Sequence, residues 1–361
     1  MGAQAKARKR RPSTGRVTAS KGSPARGRSD LTMFDDVCRE LLATQGREVL
    51  RAGDPLEAEA SASTVIAMFA GLTLVDEPDP AGALGGRLVS VAHRNGAPHA
   101  QACLRALAAV GQGELRRKAA AAVVAPHGPL PGWVGQIGTA QPTAAARATD
   151  LFGDQDAVMI GFSYPSGADH TFLVLIDHTM GGIAKDATLL LSPVSDVMEQ
   201  WADDPDIELV EEPVGLLAAR VLEAMYLTDH TLDAPTSEDY PEIEVLVRAR
   251  LEPLAVPVDE PEPLGIDERE VLVRAFLDDD AGLDFSDDPH AWYLLDTLVD
   301  YRCDYHGGDP LRWSDTAVAL FLLDFVPRKM SAPESTLLMA PKVYAPGCPG
   351  RRCVRDYPAG L

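Results

Sequence analysis

The sequence predicts an α+β fold, mostly helical, in which a short antiparallel β-meander is flanked by helices and joined to N-terminal and C-terminal helical regions. Three observations predict it. Apolar residues recur at three- and four-residue spacing from Leu31 to Ala125 and again beyond residue 267, the pattern of amphipathic helices. Between these stretches, Val158 to Tyr164, His170 to Asp177 and Ile183 to Leu191 are short apolar or β-branched runs. Pro165-Ser166-Gly167 and Met180-Gly181-Gly182 separate the runs at hairpin length.

Helices are expected near 32 to 51, 55 to 71, 81 to 94, 97 to 111 and 113 to 125, within a helical region spanning 31–126. The last two pair as an antiparallel hairpin across Gly111-Gln112-Gly113, and such pairs resemble HEAT-like hairpins, although no period recurs three times. Residues 126 to 157 are rich in turn formers, from His127 and Gly128 to Gly132 and Trp133, and lead into an α+β domain over 127–251. In that domain Thr171 to Ile176 is apolar on both faces, which predicts the central strand of a three-stranded meander. Helices follow at 194 to 204, 213 to 228 and 237 to 251. Residues 252–266, dense in proline and acids, read as a semi-rigid linker. A small helical bundle over 267–330 comes next, with helices near 267 to 279, 289 to 303 and 314 to 326, the last capped by Ser314 and ended by Pro327. Residues 1–30 are expected to be a disordered basic tail and residues 331–361 an irregular C-terminal tail.

Composition bounds the function. The 361 residues carry a formal charge of -21, with 33 basic and 54 acidic groups. Residues 1 to 29 hold nine basic side chains and no acid, so the rest carries 24 basic against 54 acidic, or -30. A body that acidic repels nucleic acid, and only residues 1–29 are suited to bind a polyanion. No apolar run approaches the roughly 18 residues of a membrane span, and the basic N-terminus has no apolar segment behind it, so a cytoplasmic protein without a membrane partner is expected. The five cysteines are too scattered for a disulfide framework and fit a reducing compartment; Cys38 and Cys103 lie in apolar helical patterns. Low lysine, seven of the 33 basic residues, with abundant Ala, Arg, Asp, Gly and Pro, is the usage of GC-rich bacterial genomes.

Candidate chemistry gathers at one end of the meander. His170 and His178 lie eight residues apart, about 26 Å along a strand, so one metal ion cannot take both. The focused set is Asp177, His178, the Gly181-Gly182 turn, Lys185 and Asp186. His178 beside acids and a lysine suits a general base, with Asp177, Lys185 and Asp186 as its companions. His178 and Asp186, joined by Asp154 and Asp156 from the Gly153-Asp154-Gln155-Asp156 turn, are the candidate metal ligands. The competing reading is architectural: Asp177 bonds the turn backbone, His178 satisfies a buried carbonyl, the glycines supply positive φ, and Lys185 pairs with Asp186 or a neighbour. A second cluster, Asp300 to Asp309 with Arg312 and Trp313, sits at a helix end where capping and loop anchoring explain it. Cys348 and Cys353 lack the second ligand pair of a zinc site. No phosphate loop, nucleophile elbow or HExxH helix is present, and no cofactor is specified.

Three blocks carry a resemblance. They are Gly153-Asp154-Gln155-Asp156; Asp169-His170-Thr-Phe-Leu-Val-Leu-Ile-Asp177-His178-Thr-Met-Gly181-Gly182-Ile-Ala-Lys185-Asp186; and Gly308-Asp309-Pro310-Leu311-Arg312-Trp313-Ser314 with the Phe321 to Lys329 stretch. Over residues 85 to 330 the chain resembles an uncharacterised family of bacterial proteins from GC-rich genomes, which transfers no activity, cofactor or site residue. The family's pattern continues beyond Pro-Arg-Lys with another amphipathic helix, where this chain turns to Pro, Gly, Arg and Cys; a shifted reading frame or a degenerate terminus would produce that.

The leading expectation is therefore a cytoplasmic interaction or regulatory protein with a protein partner. The alternatives are a metal-assisted or acid/base hydrolase at the Asp177–Asp186 end, and a nucleic-acid-associated protein recruited through residues 1–29.

Overall fold

A computed structural model describes residues 26–72, 79–257, 264–280, 282–305 and 310–338. Five helices open the chain: α1 (Arg26–Arg51), α2 (Pro55–Ala70), α3 (Pro80–Asn95), α4 (Pro98–Val110) and α5 (Gly113–Ala122). Proline stands in the first turn of α2, α3 and α4, where its missing N–H costs nothing. The Asp54 and Asp79 carboxylates cap α2 and α3 by accepting from the Glu57 and Gly82 N–H groups at 2.9 and 2.8 Å. Gly96, at φ 64°, closes α3 in the left-handed conformation. Helix α4 is the hub. Ala100, Ala102 and Ala106 let neighbours approach closely, and α1, α2, α3 and α5 all pack against it. The α4–α5 hairpin forms as its glycine break predicts. Helix α1 already includes Arg26, ahead of the expected residue 32, and residues 1–25 lie outside the described set.

The expected fold class holds, with a larger sheet than the sequence discloses. The three expected strands are β2 (Gln155–Ser163), β3 (Asp169–Asp177) and β4 (Ile183–Leu190). Two more join them, β1 (Gln141–Asp150) and β5 (Ile207–Glu211), in the antiparallel order β4-β3-β2-β1-β5. β1, expected to be part of a turn-rich stretch, reads Gln-Pro-Thr-Ala-Ala-Ala-Arg-Ala-Thr-Asp, a poor strand by propensity. It is extended because β2 and β5 pair with it on both sides, and its small side chains let helices close on the sheet. β3 is interior but one place from the centre, which β2 occupies. The helix expected at 194 to 204 ends early, as α6 (Val194–Glu199), and gives way to β5.

Helices α7 (Val214–His230) and α8 (Tyr240–Leu251) cover the sheet face that carries Val158, Ile160, Phe162, Phe172, Val174 and Ile176, all buried. α6 covers part of the opposite face, where Val194 and Val197 meet Ala146, Ala148 and Met159. One continuous core joins the first face to α1–α5 and runs from Cys38 to Leu251, across residues 126 and 127.

At the centre of that core lies a polar knot. Glu59 of α2 is fully buried and takes an ion pair from Arg250 of α8. Arg250 also donates to the Tyr164 hydroxyl at 2.7 Å, and the Gly138 N–H donates to Glu59 at 2.7 Å. Burial pushes the Glu59 carboxyl upward, and Arg250 pulls it back. His170 is stacked between Phe162 and Tyr164, with centroids at 5.7 and 5.5 Å. Burial, then the Arg250 charge, lowers its pKa to about 4, so the ring is neutral at physiological pH.

The C-terminal part comprises α9 (Ile266–Asp278), α10 (Pro289–Tyr305), α11 (Asp315–Leu320), a π turn (Phe321–Phe325), α12 (Val326–Lys329) and α13 (Glu334–Leu337). Pro327 does not end the helix as expected. Its ring conflicts with the carbonyl four residues back, at Leu323, and the chain widens through the π turn before continuing to Lys329. Val273, Leu277, Ala291, Leu294, Leu295 and Val299 form a separate small core, and α13 adds a turn of helix within the stretch expected to be irregular. Residues 258–263 of the linker and 339–361 of the C-terminal tail lie outside the described set, and so do Cys348 and Cys353. No helix of the described residues is long and apolar enough to cross a membrane.

Because removing one member of a buried ion pair strands the other charge, Glu59→Gln or Arg250→Met should each lower unfolding free energy by roughly 3–5 kcal/mol. Glu59→Met combined with Arg250→Met should cost clearly less than the sum of the single changes. Urea unfolding of the three variants checks this, and simple additivity would contradict it.

Candidate functional site

The β2–β3 hairpin and the β3–β4 turn bring the expected residues to one end of the sheet. Antiparallel pairing sets Gln155 opposite Asp177 and Asp156 opposite Ile176, while Asp177 also faces Ile183. A β-bulge between Leu175 and Ile176 leaves Lys185 without a direct partner, since Asp186 opposes Leu175 and Ala184 opposes Ile176. Gly181 and Gly182, at φ 84° and 82°, make the turn, a conformation that side chains disfavour.

Strand alternation then divides the cluster. Asp156 shares a face with its partner Ile176, the face packed into the core, and Asp177 points to the other face. On the core side His178 Nε2 lies 3.0 Å from Asp156 Oδ2. The other oxygen of Asp156 accepts from Thr149 Oγ1 at 2.6 Å and pairs with Arg147 at 3.3 Å. Arg147 Nε in turn meets Glu212 at 2.7 Å, and Arg220 meets Glu212 at 3.1 Å. Burial alone would raise the Asp156 pKa, but the His178 and Thr149 hydrogen bonds, with the His178 and Arg147 charges, outweigh it and hold it at about 2.

On the opposite face Asp177 Oδ1 accepts from the Thr179 N–H and hydroxyl at 3.0 and 2.6 Å, and Lys185 Nζ lies 2.7 Å from Oδ2. Burial opposes ionisation of Asp177, yet these bonds, Lys185 foremost, keep its pKa below the ordinary value. Asp186 is taken by the Ser237 hydroxyl, and the Ser237 N–H donates to the Lys185 carbonyl at 2.9 Å.

Asp154 joins the sheet to the C-terminal helices. Its carbonyl accepts from the His178 N–H at 2.8 Å, and its carboxylate accepts from the Ser314 hydroxyl. Ser314 Oγ simultaneously caps α11 by accepting from the Ala317 N–H at 2.9 Å. Burial raises the Asp154 pKa; Ser314 and Arg302 counter this, while Asp150 and Asp177 add to it. Arg302 lies over the Trp313 ring at 5.5 Å, and Tyr301 stacks on the same ring at 6.0 Å. Arg269 bridges Asp300 and Asp304 at 2.8 and 2.6 Å, and His306 to Asp309 fall outside the described residues.

The structure thus pairs His178 with Asp156, and Lys185 with a neighbouring acid, Asp177. The four candidate ligands Asp154, Asp156, His178 and Asp186 do not converge: among the described residues no three His, Cys, Asp or Glu side chains gather closely enough to hold a metal ion. The His178–Asp156 contact is the base–orienter half of an acid/base site. Burial raises the thiols of Cys38, Cys103 and Cys303, Cys103 to about 12, so none is a thiolate at neutral pH. Sequence reading passed over Arg147, Thr149, Glu212, Ser237 and Ser314 as partners of these acids. Only the two-residue spacing of Arg147 and Thr149 signals a shared strand face. Comparison with family models, curated proteins and solved structures finds no match in any of the three.

Asp156 titrates near 2 when folded and about 3.9 when unfolded, so its contribution is present above pH 4 and fades as pH falls towards 2. Wild type should exceed Asp156→Asn by on the order of 2 kcal/mol at pH 6, and the two should converge by about pH 2. Unfolding curves at both pH values check this; a difference that is the same at both would contradict it.

Proposed function

We propose that the protein is a cytoplasmic interaction or regulatory protein with a protein partner and no chemistry of its own. The observation that carries this reading is the use made of the acids at the end of the sheet. Asp156, Asp177 and Asp186 each hold a specific neighbour, His178, Lys185 or Ser237, and the Asp156–His178 hydrogen bond and Asp177–Lys185 ion pair sit on opposite faces of the strands. A group that catalyses must face a substrate, and these face each other. Asp154, the fourth, anchors Ser314 and with it the start of α11.

The three blocks of the family resemblance meet at this place: Asp154 from the first, Asp177 and His178 from the second, Ser314 from the third. That convergence supports an architectural meaning for these residues.

Two measurements test the proposal. Full-length protein equilibrated with Zn2+, Mn2+ or Mg2+ and then desalted should retain far less than one equivalent, and in-cell crosslinking should trap the chain in a discrete complex with another protein. Stoichiometric metal that is lost in His178→Ala would establish the hydrolase reading instead, and a chain that never crosslinks would contradict a partner.

A further inference from the structure

Outside the site, one concave feature combines shape with charge. A slot of about 320 Å3 opens between α6 and the β1–β5 edge, walled by Ala145, Val194, Met198 and Leu209, with Glu199 and Glu211 at its rim. The fold builds it. β5 pairs with β1 only from Ala146 to Asp150, so Gln141 to Ala144 have no strand neighbour on that side. A bulge between Pro142 and Ala145 bends β1 there, and Gly161 opposite leaves room for α6: a Cβ would meet Val194 Cγ2 at 2.7 Å and Thr143 Oγ1 at 2.8 Å.

The surroundings carry one sign of charge. Residues 194 to 212 include eight acids and no basic residue. Glu212 serves Arg147 and Arg220, whereas Glu199, Glu208 and Glu211 are exposed and make no ion pair among the described residues. An apolar slot within an anionic rim suits a long cationic side chain, whose aliphatic stem lies on the apolar wall while its head meets the carboxylates. An open strand edge beside it favours an extended main chain.

The chain itself supplies that chemistry. Residues 1 to 25 hold seven basic side chains and no acid, concentrated at Arg8-Lys9-Arg10-Arg11. Pro12 follows, which biases Arg11 towards the extended conformation. From Arg11 to the start of α1 the fifteen residues span up to about 50 Å, comparable to the diameter of a globule of this size. Tethering raises the local concentration to the millimolar range, so this segment outcompetes any free peptide of equal intrinsic affinity.

We propose that the basic stretch Arg8 to Arg11 docks in the α6/β1–β5 slot of its own chain. This contact stands independently of the role proposed above, since it concerns residues remote from the Asp154–Ser314 junction.

The test uses the chain lacking residues 1–25, a synthetic peptide of those residues, and the full-length chain. The peptide should bind the shortened chain in a salt-sensitive manner, and full-length protein should bind it at least about tenfold more weakly because the slot is filled. Glu199→Lys with Glu211→Lys should weaken peptide binding about tenfold or more, and so should Ala202→Trp, which fills the slot without changing charge. Asp280→Lys with Asp284→Lys, the same charge change elsewhere, should leave binding within about twofold. Equal loss from the control pair would overturn the proposal in favour of diffuse attraction, and no effect of Ala202→Trp would overturn the slot. A concentration-dependent dimer that the deletion abolishes would assign the occupant to a second copy and overturn the intramolecular docking. None of these results alters crosslinking to another protein, so this inference and the proposed role fail separately.

Discussion

A carboxylate removed entirely from water must find its counter-charge inside the protein, and Glu59 finds it in Arg250. That pair fixes α2 against α8 across 191 residues of the chain. Through Arg250 and the Tyr164 hydroxyl it also fixes the loop between β2 and β3, and through the Gly138 N–H it fixes the approach to β1. The helical and sheet layers are therefore tied together at one point by directional bonds. An all-apolar interface of the same size would tolerate sliding; a knot of directional bonds does not. The guanidinium also faces the Phe162 and Tyr164 rings at 5.9 and 5.6 Å, so the aromatic wall around His170 is built on the same charge.

With the layers aligned, the sheet delivers its far end to the C-terminal helices. The β3–β4 turn and the loop before β2 present Asp154, and Ser314 receives it while capping α11. The Asp156–His178 hydrogen bond and the Asp177–Lys185 ion pair brace this end from opposite faces. Charge here does structural work: each carboxylate has a named partner, and the depressed pKa values of Asp156 and Asp177 record how well those partners satisfy them.

Much of this was legible in the sequence. The helical spacing, the Ser314 cap, the hairpin at Gly111 and the three strong strands all follow from local rules. β1 was not legible, because its alanines carry no strand preference and only pairing on both sides makes it extended. The continuation past Pro327 was hidden for a similar reason: the π turn, which local rules do not foresee, lets the helix go on. At the site, the sequence named Asp154, Asp156, Asp177, His178, Lys185 and Asp186 and placed them at one end of the sheet. It could not give their division between faces, which depends on the register with β2 and on the bulge at Lys185. The partners from outside the meander, Arg147, Ser237 and Ser314, are joined to it only by tertiary folding.

The central claim is that these acids hold the structure together. A double-mutant cycle on Asp154 and Ser314 tests it most directly, because the hydrogen bond joins the sheet to the C-terminal helices and involves no other candidate. Asp154→Ala, Ser314→Ala and the double variant should show a coupling of about 1–3 kcal/mol in unfolding free energy, with faster hydrogen exchange in both α11 and the β2–β3 end. Coupling near zero, with exchange unchanged at both places, would contradict the claim.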